Sequence, residues 1–138
     1  MAAAVKSPER RMQILVVDDE PGVRRMVCRM LAQGAYDTCE AADGAEALAS
    51  LRAGLAVDLV LSDVAMPQLN GVQLFEALSV SHPGLPVLLM SAYTVEDLVA
   101  RGSAAPCGIV LKPFTPERLL DEVRRCLSEW ARHPPARE

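Results

Sequence analysis

Lysine is scarce in this chain. Of 14 basic residues only Lys6 and Lys112 are lysines, and the other twelve are arginines. Basic residues are also outnumbered by 18 acids, for a net charge of −4. That balance argues against a nucleic-acid-binding face, because phosphate contacts need a basic surface. The four cysteines, Cys28, Cys39, Cys107 and Cys126, contain no CxxC pair and no metal-type spacing. Three fall on apolar faces, and all four are read as reduced thiols. No run approaches the ~18 apolar residues of a membrane span, and the amino terminus lacks the apolar centre of a signal peptide. The expectation is a soluble, cytoplasmic protein without a membrane contact. No internal repeat or low-complexity block is present.

What the chain has is enough apolar sequence for a core. Its 138 residues are 51% hydrophobic and 23% charged, the balance of one globular domain. Residues 1–11 and 132–138 read as flexible tails around a domain at 12–131. Short apolar runs alternate with helical patterns. The runs QILVVDD (13–19), VDLVLSDV (57–64), LPVLLMSA (85–92) and GIVLKPF (108–114) predict strands, and AYDTCEAA (35–42) predicts a more polar edge strand. Between them, residues 21–34 predict a helix with Val23, Met26, Val27, Met30 and Leu31 on one face, begun by Pro21 and stopped by Gly34. Further helices are predicted at DGAEALASLRAG (43–54), NGVQLFEALSVSHP (70–83) and TVEDLVARG (94–102). The last helix, TPERLLDEVRRCLSEWAR (115–132), carries a stripe of Leu119, Leu120, Val123, Cys126, Leu127 and Trp130. Five near-continuous apolar strands alternating with five helices predict an α/β, flavodoxin-like (βα)5 sandwich, its parallel sheet in the order 2-1-3-4-5.

In such sheets the functional site lies beyond the carboxyl ends of the strands. Strand 1 ends in Asp18 and Asp19, strand 3 in Asp63, strand 4 in Ser91 and strand 5 in Lys112. Each has a plain alternative: Asp19 as a helix cap, Asp63 as a turn former, Ser91 as a cap, Lys112 as a surface lysine. Four strands ending in acid, hydroxyl or base is the stronger pattern. Converging carboxylates repel and call for a cation, and hard oxygen ligands favour Mg2+. The first strand–helix turn, DDEPG, lacks the glycine-rich phosphate cradle. A metal, a lysine and a hydroxyl beside a carboxylate can stabilise phosphoryl oxygens on it, making Asp63 a nucleophile that forms an acyl phosphate.

The motifs VVDDE, LVLSDVAMPQLNG, LLMSA and LKPF, in this order, resemble those of response-regulator receiver domains over residues 12–130. The later part is most similar to receivers of hybrid sensor kinases. The resemblance implies that Asp63 accepts a phosphoryl group and that Asp18, Asp19, Asp63 and the Ala65 backbone carbonyl hold Mg2+. It implies that Ser91 and Lys112 contact the phosphoryl oxygens, with Lys112 aimed by a cis bond to Pro113. A lysine suits that place because it is a compact point charge, where arginine is a wide fork. Where the resemblance implies an aromatic switch residue, three before the lysine, this chain departs from the pattern and has Ile109. The resemblance also implies that Ala65 and Tyr93, two residues beyond Asp63 and Ser91, flank the path of an attacking water.

No kinase core or output domain is recognised in the chain. His82, in a SHPG turn, and His133, in the tail, read as solvated loop residues, so the phosphodonor is expected to be a partner histidine kinase or histidine phosphotransfer protein. The expected function is a single-domain switch, not an enzyme with its own substrate, existing as monomer or weak dimer. Phosphorylation would reshape a protein-binding surface of helix 4, strand 5 and helix 5. Two alternatives stand beside it. A constitutive binding module would have no use for a complete acidic cluster, and a phosphotransfer enzyme would need a lid or pocket for which little sequence remains.

Overall fold

A computed structural model of the chain describes residues 11–92 and 107–132, with side chains to Glu129. The helix predicted at TVEDLVARG, Tyr93, His133 and the Trp130 side chain lie outside the described residues. Strands β1 (Gln13–Val17), β2 (Asp37–Ala41), β3 (Leu59–Asp63), β4 (Val87–Ser91) and β5 (Gly108–Leu111) form one parallel sheet in the order β2-β1-β3-β4-β5. Helices α1 (Pro21–Gln33), α2 (Gly44–Arg52), α3 (Gly71–Ser81) and α4 (Pro116–Arg132) accompany it; α4 is the fifth predicted helix.

Parallel strands need crossovers, and the crossover helices cover both faces, so the central strands are apolar without alternation. The alternation of side chains then decides which core each residue joins. Leu15, Val17, Val60 and Leu89 face Ala47 and Leu51 of α2 and Leu74 and Leu78 of α3. Ile14, Val16, Leu61, Leu88 and Met90 face Val27 and Leu31 of α1 and Leu119, Val123 and Cys126 of α4. β2 pairs with β1 alone, as its polar sequence predicts for an edge.

The structure corrects three details. Met26, placed on the buried face of α1 by its spacing, is 44% exposed; the contact stripe is Val27 and Leu31 with Val23 and Met30 partly packed. Gly34 does end α1, as its cap at φ −93°, and the left-handed residue is the following Ala35 at φ 67°. Gly34 is small because a Cβ there would lie 2.6 Å from Leu120 Cδ2 of α4. His82 is half-buried: Nδ1 pairs with Ser81 Oγ at 2.8 Å and Nε2 with the Leu51 carbonyl at 3.3 Å, tying α3 to α2. Cys107 and Cys126 are not separate thiols but form a disulfide, with Cα atoms 5.7 Å apart. Cys28 and Cys39 are free and half-buried. Spacing along α4 marks Cys126 as a core residue, but only the packing of α4 over the entry to β5 brings Cys107 beside it.

The start of α3 fixes the strand end that matters most. Asn70 Oδ1 accepts from the Gln73 amide at 2.8 Å, and Gln73 Oε1 accepts from the Asn70 amide at 2.9 Å, a reciprocal cap. Next to it, the Gly71 amide donates to the Val64 carbonyl at 3.0 Å. A Cβ on Gly71 would strike the Asp63 carbonyl oxygen and lie 2.9 Å from Val64 Cα. Replacing Asn70 with alanine is expected to cost about 1 kcal/mol of stability. Urea unfolding checks this as a lowered midpoint at unchanged slope.

Candidate functional site

The carboxyl ends of β1, β3, β4 and β5 converge as the topology requires. Asp18 and Asp63 are buried, at 1% and 7% exposure, while Asp19 is exposed. One carboxylate oxygen from each of these three residues lies within 4.8 Å of the other two. Lys112 follows β5, and its amide donates to the Ser91 carbonyl at 2.8 Å, which locks the lysine beside the end of β4. Its Nζ donates to Asp63 Oδ1 at 2.9 Å and stands 4.0 Å from Asp18 Oδ2. The Lys112–Pro113 peptide bond is cis.

Asp19 does not cap α1. The cap position is Glu20, with no side-chain cap bond, and Asp18 Oδ1 accepts from the Glu20 amide at 2.9 Å. Asp18 Oδ2 is buried without a hydrogen-bond partner among the described residues. Such an oxygen is costly to leave unmade. Burial raises the Asp18 pKa above the ordinary aspartate value, and the neighbouring Asp63 and Asp19 raise it further; the Glu20 amide and Lys112 act the other way. Three carboxylates thus face one ammonium, and an oxygen of the most buried one is unmatched. The donor set fits a hard divalent cation, which would take an oxygen from each acid and several waters.

Beside Asp63 lies a cavity of about 130 Å³ lined by Val64, Ala65, Ser91, Ala92 and Lys112. Ser91 is 1% exposed and Ala65 is exposed at the rim. Ile109, paired with Leu89 in the sheet, packs half-buried against the core on the α2–α3 side and carries no hydroxyl. Arg24, to which the sequence reading assigned no role, donates from Nη1 to the Asp18 carbonyl at 2.7 Å and from Nε to Glu40 Oε1 at 2.9 Å.

The family profile described as the response regulator receiver domain matches residues 14–124. The chain belongs to the receiver domain family. Curated relatives include the DNA-binding response regulator MtrA of Mycolicibacterium smegmatis, 36% identical over 115 residues, covering 83% of this chain and 50% of MtrA. The sensor kinase CckA of Brucella abortus is 37% identical over 119 residues, covering 84% of this chain and 12% of CckA. Among solved structures, the response regulator TrrA of Thermotoga maritima, in complex with Mg2+ and BeF, superposes with a TM-score of 0.73 at 29% identity, covering 83% of this chain and 98% of TrrA. The chain spans about half the length of the first curated relatives it matches. Receiver domains accept phosphoryl groups in two-component signalling and bind Mg2+ in an acidic pocket, and the cluster of Asp18, Asp19 and Asp63 fits such a pocket. Among the described residues no helix is long and apolar enough to cross a membrane.

Proposed function

We propose that this receiver unit, over residues 12–131, accepts a phosphoryl group on Asp63 from a histidine-bearing partner protein and switches a protein-binding surface. The observation that carries the reading is the pair formed by Lys112 Nζ on Asp63 Oδ1 and the unmatched, buried Asp18 Oδ2. Lysine neutralises the acceptor carboxylate, and the remaining negative charge is shaped for a divalent cation held by Asp18, Asp19, Asp63 and the Ala65 carbonyl. The cation supplies charge neutralisation for incoming phosphoryl oxygens. An oxygen of Asp63 attacks phosphorus, the bond from phosphorus to the donor nitrogen breaks, and its electron pair leaves with the donor imidazole. Lys112 then transfers its contact from Asp63 to a phosphoryl oxygen, and the Ser91 hydroxyl donates to another.

Added charge at Asp63 would be felt at β5 through Lys112, which is bound to both Asp63 and the Ser91 carbonyl. The responsive surface is then β5, α4 and the segment predicted as helix 4. Ile109 can repack on this path without exposing a hydroxyl. Ala65 and Tyr93 are proposed to leave the attacking water without a polar guide. A cytoplasmic monomer or weak dimer, bound to neither nucleic acid nor membrane, suits this role. The complete acid, hydroxyl and lysine set disfavours a constitutive binding module.

Incubation with Mg2+ and acetyl phosphate is the test. The expected product carries one phosphoryl group that is stable in acid and labile in base. Equal labelling in the presence of a chelator would contradict the reading.

A further inference from the structure

The turn that presents Asp18 and Asp19 is gripped from outside the acidic cluster. On one side the Asp18 amide donates to the Ala41 carbonyl at the end of β2, at 3.3 Å. On the other, Arg24 spans two acceptors: Nη1 reaches the Asp18 carbonyl at 2.7 Å and Nε reaches the Glu40 carboxylate at 2.9 Å. The arginine side chain is only 16% exposed. It sits one turn into α1, where side chains lean back toward the helix amino terminus, and its own amide donates to the Glu20 carbonyl at 3.0 Å. No side chain caps this helix. The fork of Arg24 therefore takes over the task of fixing the turn, tying the first turn of α1, the peptide after Asp18 and the end of β2 into one unit. Only a guanidinium can bind two acceptors in fixed directions in this way.

We propose that Arg24 is a positioning residue for the cation site, holding the Asp18–Asp19 turn so that both carboxylates already converge on Asp63 before the cation arrives. Three like charges cannot gather unaided, and a turn left free relaxes by swinging the already exposed Asp19 away from Asp18 and Asp63. Holding it in place makes the cost of convergence part of folding instead of part of metal binding. Glu40 has a second part: it neutralises a cation that would otherwise repel the bound metal.

The inference rests on the divalent-cation reading of the acidic cluster, and its test has a sign that separates it from charge effects. Removing a positive charge near a cation site should by itself tighten Mg2+ binding. Loss of positioning should weaken it, by about tenfold for a residue one shell removed from the ligands. Mg2+ alone is titrated into the unphosphorylated protein, followed by amide chemical shifts, for the wild type, Arg24→Ala and Arg24→Lys, with urea unfolding run alongside. Weaker binding in Arg24→Ala, with Arg24→Lys also weaker than wild type despite its conserved charge, supports the proposal. Equal or tighter binding in Arg24→Ala overturns it. If Arg24→Ala does not fold, Arg24→Lys decides: wild-type affinity there shows that the two-acceptor fork is dispensable and overturns the proposal. A wild type that binds no Mg2+ overturns the cation reading itself, a result distinct from unchanged binding in the variants.

Discussion

Asp18→Asn is expected to make the metal-free protein more stable while removing most of its affinity for Mg2+. Both effects come from the same atom. Asp18 Oδ2 is buried, lacks a hydrogen bond and stands 4.0 Å from Lys112 Nζ. Its carboxylate is disfavoured first by burial and then by Asp63 and Asp19. An amide of the same shape carries no charge, so it lifts that penalty, worth about 1–3 kcal/mol. It is also a poorer ligand for a hard cation, and the loss of one charge in three should weaken Mg2+ by on the order of a hundredfold. The pH dependence follows from the direction of the shift. With its folded pKa raised above 3.8, Asp18 binds its proton more tightly in the native state than in the unfolded chain. The penalty is complete above the folded pKa and vanishes as pH falls through that value to below 3.8. Metal-free wild type should therefore lose this part of its stability as pH rises through the window, and Asp18→Asn should not. Urea unfolding at several pH values with a chelator, and Mg2+ titration at neutral pH, measure the two effects.

Lys112 is expected to show the opposite pattern. Its Nζ donates to Asp63 Oδ1 at 2.9 Å, and Lys112→Ala leaves the acids without a protein cation. The lysine side chain is 32% exposed, so solvent moderates the loss, and about 1–2 kcal/mol of destabilisation is expected in metal-free protein. Mg2+ should restore most of it. Lys112→Arg keeps the charge and the metal-free stability, yet its planar fork cannot replace a point charge in a cavity of about 130 Å³. That variant should accept the phosphoryl group but lose the accompanying amide shifts in β5 and α4. Full shifts in the arginine variant would show that any cation serves.

The strands were legible because a parallel sheet buried on both faces demands uninterrupted apolar runs, and β1, β3 and β4 have them. Their ends were less so. GIVLKPF reads as one strand to Phe114, but pairing stops at Leu111, just before Pro113, which has no N–H to donate. The cluster of Asp18, Asp19, Asp63, Ser91 and Lys112 was legible because topology sends every strand end to one edge, whatever the helices do. What stayed hidden depends on contacts between distant elements. The pairing of Cys107 with Cys126 and the close approach that keeps Gly34 small both depend on where α4 lies. Arg24 was invisible for a related reason: an arginine on a helix reads as a solvated charge until the end of β2 is placed beside it.

The most direct measurement is the location of the phosphoryl group. After reaction with acetyl phosphate and Mg2+, reductive trapping of the acyl phosphate with borohydride and peptide mapping should mark Asp63 alone. Asp63→Asn, whose amide is no nucleophile, should take up no label. Full labelling of Asp63→Asn, or a mark on another residue of the wild type, would contradict the account.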